Sequence, residues 1–156
     1  MKIPVVGGAA HKHAFAWKLS HESTVTDLLC APGNPGIAAV ARCIPADPAN
    51  PAEVLSIARR EAVDLTVVGP EVPLSRGISD AFDAAGFPIV GPSAAAARLE
   101  SSKAFAKDFM ARHGVPSARF RICDSAAAAF SAIALEEFGY PLVLKADASA
   151  GGKGVV

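Results

Sequence analysis

The sequence predicts an α/β fold whose first hundred residues form a mainly parallel sheet with helices on both faces. Three observations carry that prediction. Short apolar runs alternate with segments of helical length and helical spacing. The connections between them are short and built from glycine and proline. The runs at residues 3–6 and 64–68 are apolar almost throughout, as strands buried on both faces are.

Residues 3–6 read as a buried strand, in which Pro4 fits only near the first residue or on an edge. Gly7-Gly8-Ala9-Ala10 reads as a tight turn. A helix follows over residues 11–20, with Phe15 and Leu19 one turn apart and Ala14 and Trp17 beside them; Trp17 is assigned to the core. A second apolar run at 27–31 leads into Pro32-Gly33-Asn34-Pro35-Gly36, which is a loop by composition. A weak third strand lies near 41–44. Asn50 can cap the next helix, Pro51 suits its first position, and Glu53 completes a capping-box variant; the helix runs to about residue 62. A strong strand at 64–68 ends in a rigid loop at 69–73. A helix over 74–85 stops at Gly86, a strand covers 87–90, and an alanine-rich helix covers 94–99. The turns at Gly7, Gly69 and Gly91 all follow strands, on the edge where ligands of such sheets bind.

After Glu100 the pattern changes. Residues 102–113 read as a helix stopped by Gly114 and Pro116, with Phe105 and Phe109 as its buried stripe and Lys103 and Lys107 roughly opposite. A strand is expected at 118–122. A helix is expected over 125–138, burying Ala126, Ala129, Phe130 and Ile133 and closed by Gly139. Residues 142–156 read as a hairpin that presents Lys145 and Lys153. Gly151, Gly152 and Gly154 would let backbone N–H groups approach phosphate oxygens. The alternative is an ordinary hairpin turn with surface lysines. It is not a Walker A loop, since Gly154 follows Lys153 where that motif has Ser or Thr. The last apolar run is cut off, so the chain is expected to be the beginning of a longer protein.

Composition narrows the function classes. The chain has 156 residues, 51% of them hydrophobic, and a formal net charge of zero, so nucleic acid and an anionic membrane are not expected as bulk partners. No apolar run approaches the roughly 18–20 residues that span a bilayer, and the N-terminal run is too short for a signal peptide. Cys30, Cys43 and Cys123 have no CxxC spacing and read as reduced core or near-core residues of a cytoplasmic protein. His11 and His13 diverge on a helix, and no metal ligand is assigned.

Five stretches together resemble a known family. They are 7–19, ending HAFAWKL; Ala31-Pro32-Gly33-Asn34 with Gly36; DLTVVGPEVPL at 64–74; LESSKAFAKDFM at 99–110; and 145–156. In that order the sequence resembles the amino-terminal part of phosphoribosylamine–glycine ligases (glycinamide ribonucleotide synthetases), ATP-grasp enzymes of purine biosynthesis. The resemblance spans the chain, while such enzymes are more than twice its length. It implies a Rossmann-like (pre-ATP-grasp) α/β domain over 1–101 and the incomplete start of an ATP-grasp domain over 102–156. It implies ATP-dependent phosphorylation of glycine, followed by attack of the 5-phosphoribosylamine amine on glycyl phosphate. By the same resemblance Lys103, Lys145, Gly151, Gly152, Lys153 and Gly154 would hold ATP. Gly7, Gly8, Asn34, Gly69, Pro70 and Glu71 would form the amine-substrate pocket. Mg2+ or Mn2+ would be held by ligands beyond residue 156. The partners implied are small molecules, and a monomer is expected. Without the missing lobes, the 156-residue chain alone is expected to be inactive.

Two departures stand out. Ala9 and Ala10 replace glycines of the family's first turn, and His11-Lys12 replaces its Arg-Glu pair. If either alanine needed φ > 0, its methyl would cost about 1 kcal/mol or more. Ala148-Ser149 also stands where glycine and leucine are usual. Competing readings are another ATP-grasp carboxylate–amine ligase and a truncated, non-catalytic binding module. A dinucleotide-binding domain fits poorly, since no G-x-G-x-x-G follows the first strand. Residue by residue, Lys103 could be a solvated helix lysine, Asn34 a turn former, and Glu71 a brace for its own loop.

Overall fold

The computed structural model describes residues 1–135, 138–147 and 155–156. The chain divides into two units, Met1–Ala97 and Arg98–Val156.

Strand β1 (Lys2–Gly7) is buried along five of its six residues. It pairs on one side with β2 (Asp27–Pro32) over its full length, from Lys2 opposite Asp27 to Gly7 opposite Pro32. On the other side it pairs with β4 (Thr66–Val68) at Val5 and Val6. The outer strands are β3 (Arg42–Cys43) beside β2 and β5 (Ile89–Val90) beside β4. All these pairs are parallel, and the strand order is β3-β2-β1-β4-β5. The order reverses direction between β1 and β4, which defines the switch point of a doubly wound sheet.

Side-chain alternation sorts the core into two layers. Ile3, Val5, Leu28 and Cys30 face Ala16 of α1 (Ala10–Ser20) and Ile37 of a 3₁₀ turn, Ile37–Ala39. Val6, Leu29 and Val68 face Val54, Ile57 and Ala58 of α2 (Pro51–Glu61) and Ile78 and Phe82 of α4 (Ile78–Ala84). Phe82 is fully buried and meets Phe87 edge-on at 6.3 Å.

Several expectations change in detail. Pro4 sits inside the central strand. Even-numbered residues of β1 turn their backbone toward β4, as the Gly69 N–H to Val6 O bond shows, and that ladder begins only at Val5. The donor that proline lacks therefore falls where no ladder partner is used. Trp17 is 54% exposed and Phe15 is 44% exposed, so neither is core. The face of α1 that meets the sheet is Lys12, Ala16 and Leu19, a strict i, i+4, i+7 stripe in which small or slender side chains allow close approach. The rigid loop at 69–73 is in part a helix, α3 (Glu71–Ser75), with Pro70 extended at its N-cap. Pro73 is the third helical residue, where no intrahelical acceptor is lost. Gly77, at φ 80°, separates α3 from α4.

In the second unit α5 (Ala94–Ser101) crosses the division, and α6 (Lys103–Arg112) and α7 (Ala126–Ala134) follow. Ser102 and Ser125 cap α6 and α7 through Phe105 N–H and Ala128 N–H. Phe105 and Phe109 are half-buried. Residues 118–122 form no strand, because their backbone has no ladder partner among the described residues; Phe120 and Ile122 are exposed. Phe130 is 71% exposed, and Ala132 is the buried residue of α7, so the expected stripe is rotated.

Two predictions follow from the core of the first unit. The Thr66 hydroxyl is buried and has no hydrogen-bond partner. Thr66→Val should raise stability by about 1 kcal/mol, read as a higher urea midpoint with unchanged slope. Burial, reinforced by neighbouring Cys43, pushes the Cys30 thiol up to about 11. Cys30 should resist iodoacetamide at pH 8 in the native state while half-buried Cys123 reacts, checked by mass spectrometry of labelled peptides.

Candidate functional site

The carboxyl ends of β1, β2 and β4 bring most of the expected pocket residues of the first unit together. Gly7 leaves β1 at φ 115°, a conformation open to glycine. Its carbonyl accepts from Gly33 N–H at 3.3 Å and from the Cys30 thiol at 3.1 Å. Gly8 lies so close to Gly33 that a Cβ would stand 2.5 Å from the Gly33 carbonyl oxygen. Asn34 closes the same turn. Its amide donates to Gly8 O at 2.6 Å, and its Oδ1 accepts from Ile37 N–H at 2.9 Å. Both ends of the Asn34 side chain thus brace the turn and the 3₁₀ segment after it. Glu71 is exposed at the first position of α3.

Ala9 and Ala10 carry no strain. Ala9 has φ −84° and ψ 175°, and Ala10 is helical. The turn needs its positive φ at Gly7, which is retained. No side chain caps α1, since Ala9 has none to offer.

Sequence reasoning missed Lys12. It is 4% exposed. A Cβ on Gly7 would meet its Cγ at 3.0 Å, and a Cβ on Gly69 would meet its Cε at 2.7 Å. Its stem therefore lies between the ends of β1 and β4, in space that two glycines leave open. The signal was present as the i, i+4 relation of Lys12 to Ala16.

In the second unit, the segment after Lys145 is tied to the start of α6. The Asp147 carboxylate accepts from Ala104 N–H at 3.0 Å and from the Ser102 hydroxyl at 3.1 Å. The Ala104 N–H does most to hold this carboxyl below the ordinary aspartate value, against some desolvation, with Ser102 and the N–H and charge of Lys103 adding to it. The segment just after Lys145 is thereby fastened beside Lys103 at the start of α6, by a carboxylate that the sequence alone does not single out. Lys145 pairs antiparallel with Val155, and Leu144 exchanges backbone hydrogen bonds with Val156. The two flanks of the expected hairpin meet. Gly151, Gly152, Lys153 and Gly154 lie outside the described residues. Among the described residues no group of three or more His, Cys, Asp or Glu could hold a metal ion.

A parallel α/β unit followed by this second unit places the chain with the ATP-grasp enzymes in fold. N5-carboxyaminoimidazole ribonucleotide synthetase from Thermus thermophilus superimposes with a TM-score of 0.72 at 20% identity, over 99% of this chain and 39% of that one. The chain belongs to the phosphoribosylglycinamide synthetase family: its N domain matches residues 1–100 and its ATP-grasp (A) domain matches residues 101–156. Phosphoribosylamine–glycine ligase of Xylella fastidiosa is 50% identical over 100% of this chain and 36% of its own length. That of Streptomyces coelicolor is 51% identical over 100% of this chain and 37% of its length. The crystal structure of the Thermotoga maritima ligase aligns with a TM-score of 0.74 at 25% identity, over 100% of this chain and 35% of that one. The chain therefore spans little more than a third of the length of the relatives it matches.

The Asp147 anchor has a definite pH signature. Its folded-state pKa is depressed, so its contribution is present above the ordinary aspartate range and is lost as pH falls through and below that range. Asp147→Asn should speed amide exchange at Ala104 at neutral pH. In the parent, the same acceleration should appear only below about pH 4.

Proposed function

We propose that the chain serves as the amino-terminal part of an enzyme that ligates glycine to 5-phosphoribosylamine in purine biosynthesis. ATP phosphorylates the glycine carboxylate, giving ADP and glycyl phosphate. The amine of phosphoribosylamine then attacks the acyl carbon and expels inorganic phosphate, leaving an amide. The observation that carries this reading is the 50% identity, along the whole chain, to phosphoribosylamine–glycine ligases.

On this reading residues 1–101 form the domain that offers Gly7, Gly8, Asn34, Gly69, Pro70 and Glu71 to the amine substrate. Residues 102–156 begin the ATP-grasp domain. Lys103 and Lys145 supply positive charge to ATP, and the loop with Gly151, Gly152, Lys153 and Gly154 closes over its phosphates. Phosphoryl transfer needs charge neutralisation and positioning above all, which ammonium groups and backbone N–H groups provide. Asp147 acts on this site indirectly, by holding the strand end of Lys145 against the start of α6. The described residues offer no cluster that fits Mg2+ or Mn2+.

The test is glycine- and phosphoribosylamine-dependent ADP release. The full-length protein should show it, and the 156-residue chain alone should not. Lys145→Ala in the full-length protein should lower kcat/KM for ATP by about 100-fold, about 2.7 kcal/mol. An unchanged kcat/KM would remove Lys145 from the ATP site.

A further inference from the structure

We propose that Lys12 is an anion-binding residue of the first unit, holding a phosphate group in the crevice between the carboxyl ends of β1 and β4. Four observations point there. Lys12 is 4% exposed, and among the described residues its ammonium forms neither a hydrogen bond nor an ion pair. Its stem is buried while its ammonium has no protein counter-charge among the described residues, so an anion that reaches it displaces no existing partner. The stem of Lys12 lies between Gly7 and Gly69, at the ends of β1 and β4, the switch point of the sheet.

The helix that carries Lys12 adds to this. α1 runs for 11 residues and has no side-chain cap. Lys12 N–H and His13 N–H are both bonded to Ala9 O, at 3.0 and 3.2 Å, which leaves the N–H groups of Ala10 and His11 at the open end. A phosphate there meets free N–H donors, the positive end of the helix and the ammonium together. Each of these donors comes from one helical turn, so the site is formed by the fold of residues 7–12 against Gly69. A phosphate monoester fits better than a carboxylate, because it offers three terminal oxygens and close to two negative charges.

The inference rests on the proposed function only for the identity of the sugar attached to that phosphate; anion binding by Lys12 stands on the geometry. The test is calorimetric titration and 1H–15N spectroscopy of the intact chain with inorganic phosphate, ribose 5-phosphate and acetate. Phosphate should shift the amides of Ala10, His11 and Lys12 and raise Tm. Lys12→Met keeps the stem and removes the charge; it should bind phosphate at least tenfold more weakly, with a ligand-free Tm no lower than the parent. Lys12→Arg should stay within about threefold, and it keeps the test open if the methionine variant does not fold. Undiminished phosphate binding by Lys12→Met, shifts confined to other residues, or acetate binding as tight as phosphate would overturn the proposal. Ribose 5-phosphate binding no tighter than phosphate would support Lys12 as the anion residue while counting against phosphoribosylamine at this edge.

Discussion

The first unit is built around a strand that has no free side. β1 is paired along both edges and buried on both faces, so its chain can leave only past the end of the sheet. That constraint sets everything at the carboxyl edge. The backbone must turn at Gly7 within one residue, and φ 115° is the result. α1 must begin almost at once to cover β1 and β2, and the Lys12 side chain of its first turn reaches Gly69 just past β4. Gly8 must pass the Gly33 carbonyl with no Cβ between them. A candidate binding edge then follows from topology, as the place where strand ends, an open helix start and a crossing lysine are forced together.

Much of this was legible in the sequence because the signals were local. Asn50, Pro51 and Glu53 mark the start of α2, and the Asn50 side chain does accept from Glu53 N–H. Ser102 and Ser125 mark two further helix starts. The apolar runs at 3–6, 27–31 and 64–68 fall on β1, β2 and β4. What could not be read depended on long-range partners. Lys12 looks like any helix lysine until Gly7 and Gly69 are placed beneath it. Asp147 acts across more than forty residues on the start of α6. Residues 118–122 alternate like a strand, yet alternation alone supplies no ladder. Trp17 and Phe130 mislead for another reason: side-chain size does not mark the inward face, and Ala16 and Ala132 occupy the buried stripes.

The first turn shows how a residue is judged by backbone geometry and not by its type. Replacing glycine by alanine is costly only where φ is positive or where space is missing. Ala9 is extended and Ala10 is helical, so neither methyl sits where glycine would be required.

The two units treat their helix starts in opposite ways, and this bears on where phosphate groups can sit. α6 begins with its N–H groups taken: Ser102 caps Phe105, and Asp147 accepts from Ala104. A carboxylate already holds that helix end, so an incoming phosphate would meet repulsion there. α1 begins with its end open and the buried stem of Lys12 beside it. The electrostatics of a helix start thus separates two tasks within one chain: in the second unit it fixes a structural carboxylate, and in the first it leaves room for a ligand.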